Sequence, residues 1–181
     1  EAIREAGISR AYCLLSTDSP IIADVGREIG WKVPWLRPQE LSDDTASTVD
    51  AILHAVNWYG EAQGRLPDHV MVLQPPSPLR SGRHLREGLD VLSRHPEADG
   101  LVSMQAGNAH GIISFVQQDG WMVPASGEGM EPESVFSPNG VLYLSRTQAL
   151  LEQKSLFPAR LLSLVLSREE SLDIDTAEDW K

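Results

Sequence analysis

Residues 68–104 read D-H-V-M-V-L-Q-P-P-S-P-L-R-S-G-R-H-L-R-E-G-L-D-V-L-S-R-H-P-E-A-D-G-L-V-S-M, and this stretch decides the fold. Asp68 to Gln74 has a continuous apolar centre, the pattern of a strand buried on both faces. Pro75-Pro76-Ser77-Pro78 stops it, Ser81 is placed to cap a helix, and Leu85, Leu89 and Leu92 recur along one face of that helix. Leu101 to Met104 is a short strand. Strand, helix and strand in succession are the unit of an α/β fold.

The same alternation continues in both directions. Upstream, Gly7 is placed like the residue just past a helix end, so residues 1–7 read as the tail of a helix whose beginning is absent, and the chain reads as a fragment. Arg10 to Leu15 predicts a strand, and Pro20 to Gly30 a helix with Ile21, Ile22, Val25 and Ile29 at helical spacing. Trp31 to Leu36 predicts a further strand, with Pro34 arguing for an edge or a bend, and Val49, Ile52, Leu53 and Val56 mark a helix from Ser47 to Gly60. Downstream, residues 110–124 predict a hairpin turning at Asp119-Gly120, and residues 125–134 lack periodicity and predict a mobile loop. Val141–Leu144, Thr147–Lys154 and Leu161–Leu166 predict strand, helix and strand. The sum is one α/β domain with a mostly parallel central sheet covered on both faces, without internal repeat or linker.

The 181 residues carry 15 Lys+Arg against 26 Asp+Glu, a net charge of −11 that repels a phosphate backbone and an anionic bilayer. Nucleic acid and membrane are therefore not expected partners. No run approaches the ~18 apolar residues of a membrane span. One cysteine, Cys13, forms neither an internal disulfide nor a zinc cluster, which fits a cytoplasmic setting. Its place in a strand predicts a packed thiol rather than a nucleophile.

In an open α/β sheet, ligands bind beyond the carboxyl ends of the strands, so the polar segments 16–19, 37–48, 74–80 and 173–179 are where chemistry is sought. Asp173 and Asp175 in L-D-I-D-T are carboxylates at i and i+2, hard oxygen ligands that suit Mg²⁺ and substrate phosphates; equally, Asp175 or Thr176 can cap a helix at 177–180. Gln74 stands at the mouth of a strand, ahead of a proline-stiffened loop that forms either a pocket floor or a plain connection. Arg37 suits bidentate contact to phosphate or carboxylate, or else pairs with Glu40 or Asp43 at the surface. Ser16 to Ser19 is read first as a loop held by Asx-type bonds. No serine-hydrolase, P-loop or dinucleotide motif occurs.

Taken together, S-T-D-S (16–19), L-R-P-Q-E-L-S-D-D-T-A-S-T-V-D-A-I-L-H-A (36–55), V-L-Q-P-P-S-P-L-R (72–80), N-G-V-L-Y-L (139–144) and L-D-I-D-T-A-E-D-W (172–180) resemble the acylneuraminate cytidylyltransferase family. The resemblance runs in family order over nearly the whole chain. It implies a three-layer, nucleotidyltransferase-like nucleotide-binding fold. It also implies transfer of CMP from CTP to the anomeric hydroxyl of a nonulosonic acid (sialic, legionaminic or pseudaminic), with release of pyrophosphate. By position in each motif it assigns Asp173 and Asp175 to catalysis and to Mg²⁺, Arg37, Ala46 and Thr48 to the nucleotide, and Gln74 and Asn139 to the sugar, with Asp18 in a supporting role. A homodimer built through an extension at about 105–138 is implied as well.

Two departures stand against the family pattern. The opening strand and triphosphate-wrapping loop have no counterpart, so the domain is expected to be N-terminally incomplete. An R-x-Q-x-x-P stretch is also missing ahead of Asn139, where the chain reads G-E-G-M-E-P-E-S-V-F-S-P-N-G (127–140). They leave a second expectation from a different class, a non-catalytic CMP- or nucleotide-sugar-binding remnant. A haloacid-dehalogenase-type phosphatase is excluded because Ala177 stands where that motif needs Thr.

Overall fold

The computed structural model describes residues 1–43, 45–107, 113–125, 134–174 and 176; Asp175, residues 126–133 of the stretch expected to be a mobile loop, and residues 177–180 of the expected capped helix lie outside them. The 68–104 stretch forms β1 (His69–Val72), α4 (Gly82–Arg94) and β2 (Gly100–Ala106). Ser81 caps α4 through a capping box in which His84 at the third position returns a bond to the Ser81 backbone. Around this unit lie α1 (Ala2–Glu5), α2 (Pro20–Glu28), α3 (Thr48–Gln63), β3 (Phe115–Gln118), β4 (Trp121–Pro124), β5 (Phe136–Arg146), α5 (Thr147–Gln153) and β6 (Leu161–Leu166).

The architecture is three-layered. On one face of the sheet, Leu101, Leu142 and Leu144 pack with Leu92 of α4; on the other, Val102, Met104 and Tyr143 pack with Val56 of α3 and Leu150 of α5. Alternate residues of β2 and β5 therefore serve opposite faces, as the period of a strand requires. Helix α4 comes so close to β5 that a Cβ on Gly88 would overlap the Leu142 side chain.

The sheet is mixed rather than mostly parallel. Strands β2 and β6 pair in parallel, but β5 runs antiparallel to β1, β2 and β3, and β3 is antiparallel to β4. The alternation of strands and helices in the sequence implied parallel neighbours, whereas β5 runs antiparallel to every strand it pairs with, a direction the alternation does not carry. That hairpin turns at Asp119 and Gly120, both with positive φ, as a two-residue primed turn demands.

Several expectations need correction. Arg10–Leu15 is not a strand: Arg10–Tyr12 is a 3-10 turn, and only Leu14 bridges, in parallel, to Lys32. Trp31–Leu36 is likewise reduced to that one bridge, since Pro34 removes a ladder donor. Strand β1 is only partly buried, because among the described residues it pairs on one edge only, with β5. Helix α2 begins at Pro20 and is capped by Ser19, but it packs through its small residues, Gly26 meeting Leu15 and Val33, while Ile21, Ile22, Val25 and Ile29 are exposed.

Candidate active site

Because β5 runs against its neighbours, its first half, Asn139-Gly140, comes to the same end of the sheet as the carboxyl ends of β1 and β6. The ladder between β2 and β5 slips here, between Val102 and Met104. Ser103 fills the irregularity: its Oγ accepts from the Leu142 N–H at 2.7 Å and donates to Asn139 Oδ1 at 2.6 Å. Asn139 is buried, and its Nδ2 donates to Ser171 Oγ at 2.8 Å. Its amide is thus engaged on both sides within the protein and holds the Gly140 turn to the segment that follows β6.

Arg80 clamps the same turn to the proline loop. Its guanidinium donates to the carbonyls of Val141 (2.6 Å), Gly140 (3.2 Å) and Gln74. Burial pushes this guanidinium below its ordinary pKa, and the negative charge of Asp173 partly offsets the shift. Asp173 is placed by its neighbours: the Ile174 N–H donates to the Pro76 carbonyl at 2.9 Å, and Ser171 is tied to Asn139.

Gly140 has φ +75, and three side-chain oxygens converge on the space where a Cβ would stand: Gln74 Oε1 at 3.1 Å, Ser77 Oγ at 3.5 Å and Asp173 Oδ2 at 4.0 Å. Ser77 is buried, and its hydroxyl has no hydrogen-bond partner among the described residues. A set consisting only of amide, hydroxyl and carboxylate oxygens fits a hard cation such as Mg²⁺ at Asp173. It is equally suited to the hydroxyls of a sugar.

A pocket of about 270 Å³ opens beside this cradle, between Thr48 at the start of α3, Gln74, Tyr143 on β5 and the 154–157 turn after α5. Burial, and secondarily the charge of Asp173, raises the pKa of the Tyr143 hydroxyl and keeps it a neutral donor.

Gln74, Asn139 and Asp173 are thus brought together, with Thr48 on the adjoining pocket; Arg37 and Ala46 do not line it. The Arg37 guanidinium pairs with Asp18 at 3.3 Å and donates to Ser42 Oγ at 2.9 Å rather than engaging Glu40 or Asp43. Its backbone N–H donates to the Thr17 carbonyl at 2.8 Å, so segments 16–19 and 37–48 meet. Ala46 is held by an Asx turn in which Asp43 accepts from the Thr45 N–H and hydroxyl, and these bonds lower the Asp43 pKa. Burial raises the pKa of the Cys13 thiol, which opposes nucleophilic use. Arg80, Ser77, Tyr143 and Lys154 were not singled out from the sequence. Arg80 was legible as a fork-shaped cation at the end of the proline loop, whereas the others lie on the site only because of how β5 runs.

No family model matches the chain. Relatives do. The N-acylneuraminate cytidylyltransferase of Streptococcus agalactiae serotype III (strain NEM316) is 28% identical over 185 residues, covering 99% of this chain and 43% of the relative. The CMP-N,N'-diacetyllegionaminic acid synthase of Legionella pneumophila is 28% identical over 172 residues, 92% of this chain and 74% of the relative. The pseudaminic acid cytidylyltransferase of Campylobacter jejuni is 23% identical over 171 residues, 92% of this chain and 73% of the relative. The chain thus spans less than half the length of the streptococcal relative. Among solved structures, CMP:2-keto-3-deoxy-manno-octonic acid synthetase complexed with CTP superposes with a TM-score of 0.62 at 14% identity, over 92% of this chain and 76% of that one. The α/β fold is therefore shared with that synthetase, and the similarity drawn from the motifs to CMP-nonulosonate synthetases is borne out. Among the described residues no helix is long and apolar enough to cross a membrane.

Proposed function

We propose that this chain carries the catalytic fold of a cytidylyltransferase that joins CMP to a nonulosonic acid. The observation that supports this best is the convergence of Gln74, Ser77 and Asp173 at Gly140, under the Arg80 clamp and beside a pocket reached by Thr48. The anomeric oxygen of the sugar acid attacks the α-phosphorus of CTP, the bond to the β-phosphate breaks, pyrophosphate leaves with the electron pair, and the hydroxyl proton passes to solvent. Asp173 and Asp175 would hold Mg²⁺, which when bound neutralises triphosphate charge and lowers the pKa of the attacking hydroxyl.

The chain's own side chains do the positioning. Gln74, with a donor and an acceptor on one planar group, orients sugar hydroxyls over the cradle. Asn139 sets the Gly140 turn rather than reaching out of it. Thr48 and the backbone at Ala46 read the cytosine edge, and Arg37, braced by Asp18, meets the nucleotide. Tyr143 closes the pocket wall and excludes water. The reading includes a cytoplasmic enzyme, where CTP is available, working as a homodimer through the 105–138 region that contains the β3–β4 hairpin.

The test is pyrophosphate release from CTP and Mg²⁺ with N-acetylneuraminic, N,N'-diacetyllegionaminic and pseudaminic acids in turn. Release with one of them, together with the matching CMP-sugar, is expected; release with none refutes the reading. CTP binding without release would instead favour the binding remnant.

A further inference from the structure

We propose that Lys154 supplies the counter-charge for the carboxylate of the sugar acid, and so makes the pocket selective for an acid over a neutral sugar. The inference rests on the proposed function and deepens it.

The pocket beside the cradle is lined by hydroxyls, one amide, apolar side chains and a single charged group, Lys154. That lysine has φ 47 and ψ 46, a left-handed conformation that among the described residues only one other non-glycine residue, Asp119 of the hairpin turn, shares in sign of φ. A glycine would close α5 there with less strain. Lysine keeps the place, with its backbone N–H bonded to the Leu150 carbonyl, and the residue is exposed and lines the pocket.

Arg4, Arg27, Arg37, Arg83 and Arg160 each pair with a carboxylate, whereas Lys154, like Arg10 and Lys32, makes no ion pair among the described residues, and of these unpaired cations it is the one that lines the pocket. In a chain with net charge −11, an unpaired cation on a pocket wall is the feature that reverses the local sign. The opposite sign is close by, since the Asp173 charge is felt at Tyr143 of the same wall. A ligand bearing both hydroxyls and one carboxylate is therefore driven to a single orientation, with hydroxyls toward Gln74 and the carboxylate toward Lys154 and away from Asp173.

The test compares wild type, Lys154→Gly and Lys154→Arg for equilibrium binding of the three acids above, in the presence of CTP, and of the C1 amide of whichever acid binds. Loss of a charge-assisted contact predicts roughly 10–100-fold weaker binding of the acid to K154G. The amide should bind wild type with the same deficit and should not distinguish wild type from K154G. Lys154→Arg should bind the acid within a few-fold of wild type, and CTP affinity should be unchanged in both variants. Glycine suits the left-handed backbone, so K154G should melt no lower than wild type, which separates lost charge from lost structure. Equal binding of the acid by wild type and K154G, or of acid and amide by wild type, overturns the role of Lys154 and leaves the proposed function standing. Binding of none of the three acids overturns both.

Discussion

Replacing Gly140 by alanine should damage function more than stability, and the two effects can be separated. At φ +75 an L-residue is strained, at a cost of roughly 1–2 kcal/mol. In a domain of this size each kcal/mol lowers Tm by about 2–4 °C, so a drop of roughly 2–8 °C is expected. The new Cβ would also stand 3.1 Å from Gln74 Oε1, closer than ordinary contact by a few tenths of an ångström, and the amide must give way. Scaling the ~10²-fold loss for a 1 Å misplacement to that shift gives roughly three- to tenfold lower turnover. Gly64 is the control. Its φ is +71, nothing lies within 4 Å of its Cβ position, and it closes α3 at the opposite end from Thr48. Gly64→Ala should therefore lose the same stability and none of the turnover. Thermal melts and steady-state pyrophosphate release on both variants decide it; if G140A turns over like G64A, the cradle is not where substrate is held.

Arg80→Lys retains the charge but not the fork that spans three carbonyls, so at least one buried acceptor loses its donor. Destabilisation on the order of 1–3 kcal/mol in urea unfolding is expected, and wild-type stability would show that the clamp is idle. Glu170 accepts from the Ser167 N–H and hydroxyl and meets His84 and Arg83, and these bonds hold its carboxyl down from the usual 4.5 to about 2. The ionised form is the stabilising one, so its contribution is complete above about pH 4.5 and is lost as pH falls toward 2. The stability gap between wild type and Glu170→Gln should narrow over that range in pH-dependent melts, and a gap that stays constant would contradict the assignment.

Much of this fold is legible in the sequence, for definite reasons. The α4 cap at Ser81, the left-handed Gly7 and the Asp119-Gly120 turn each depend on local backbone chemistry, which a sequence carries directly. The direction of β5 does not, because an apolar run such as Val141–Leu144 reads alike either way along a ladder. The site follows the same division. Gln74 and Asp173 stand out by residue type beside strand ends, while Ser77, Tyr143 and Lys154 join them only once β5 has been placed antiparallel. Asn139, which the motif resemblance assigns to the sugar, is buried against Ser103 and Ser171, where it holds the backbone of the site.

The central claim is that the end of the sheet around Gly140 and Asp173 carries cytidylyl transfer. Its most direct test is pyrophosphate release by Asp173→Asn beside wild type, at saturating CTP, Mg²⁺ and the accepted sugar acid, with Tm measured on the same samples. The account predicts that turnover falls by orders of magnitude, about 10²-fold or more, while the exposed position of Asp173 leaves Tm within a few degrees of wild type. Wild-type turnover in a folded Asp173→Asn protein would contradict it.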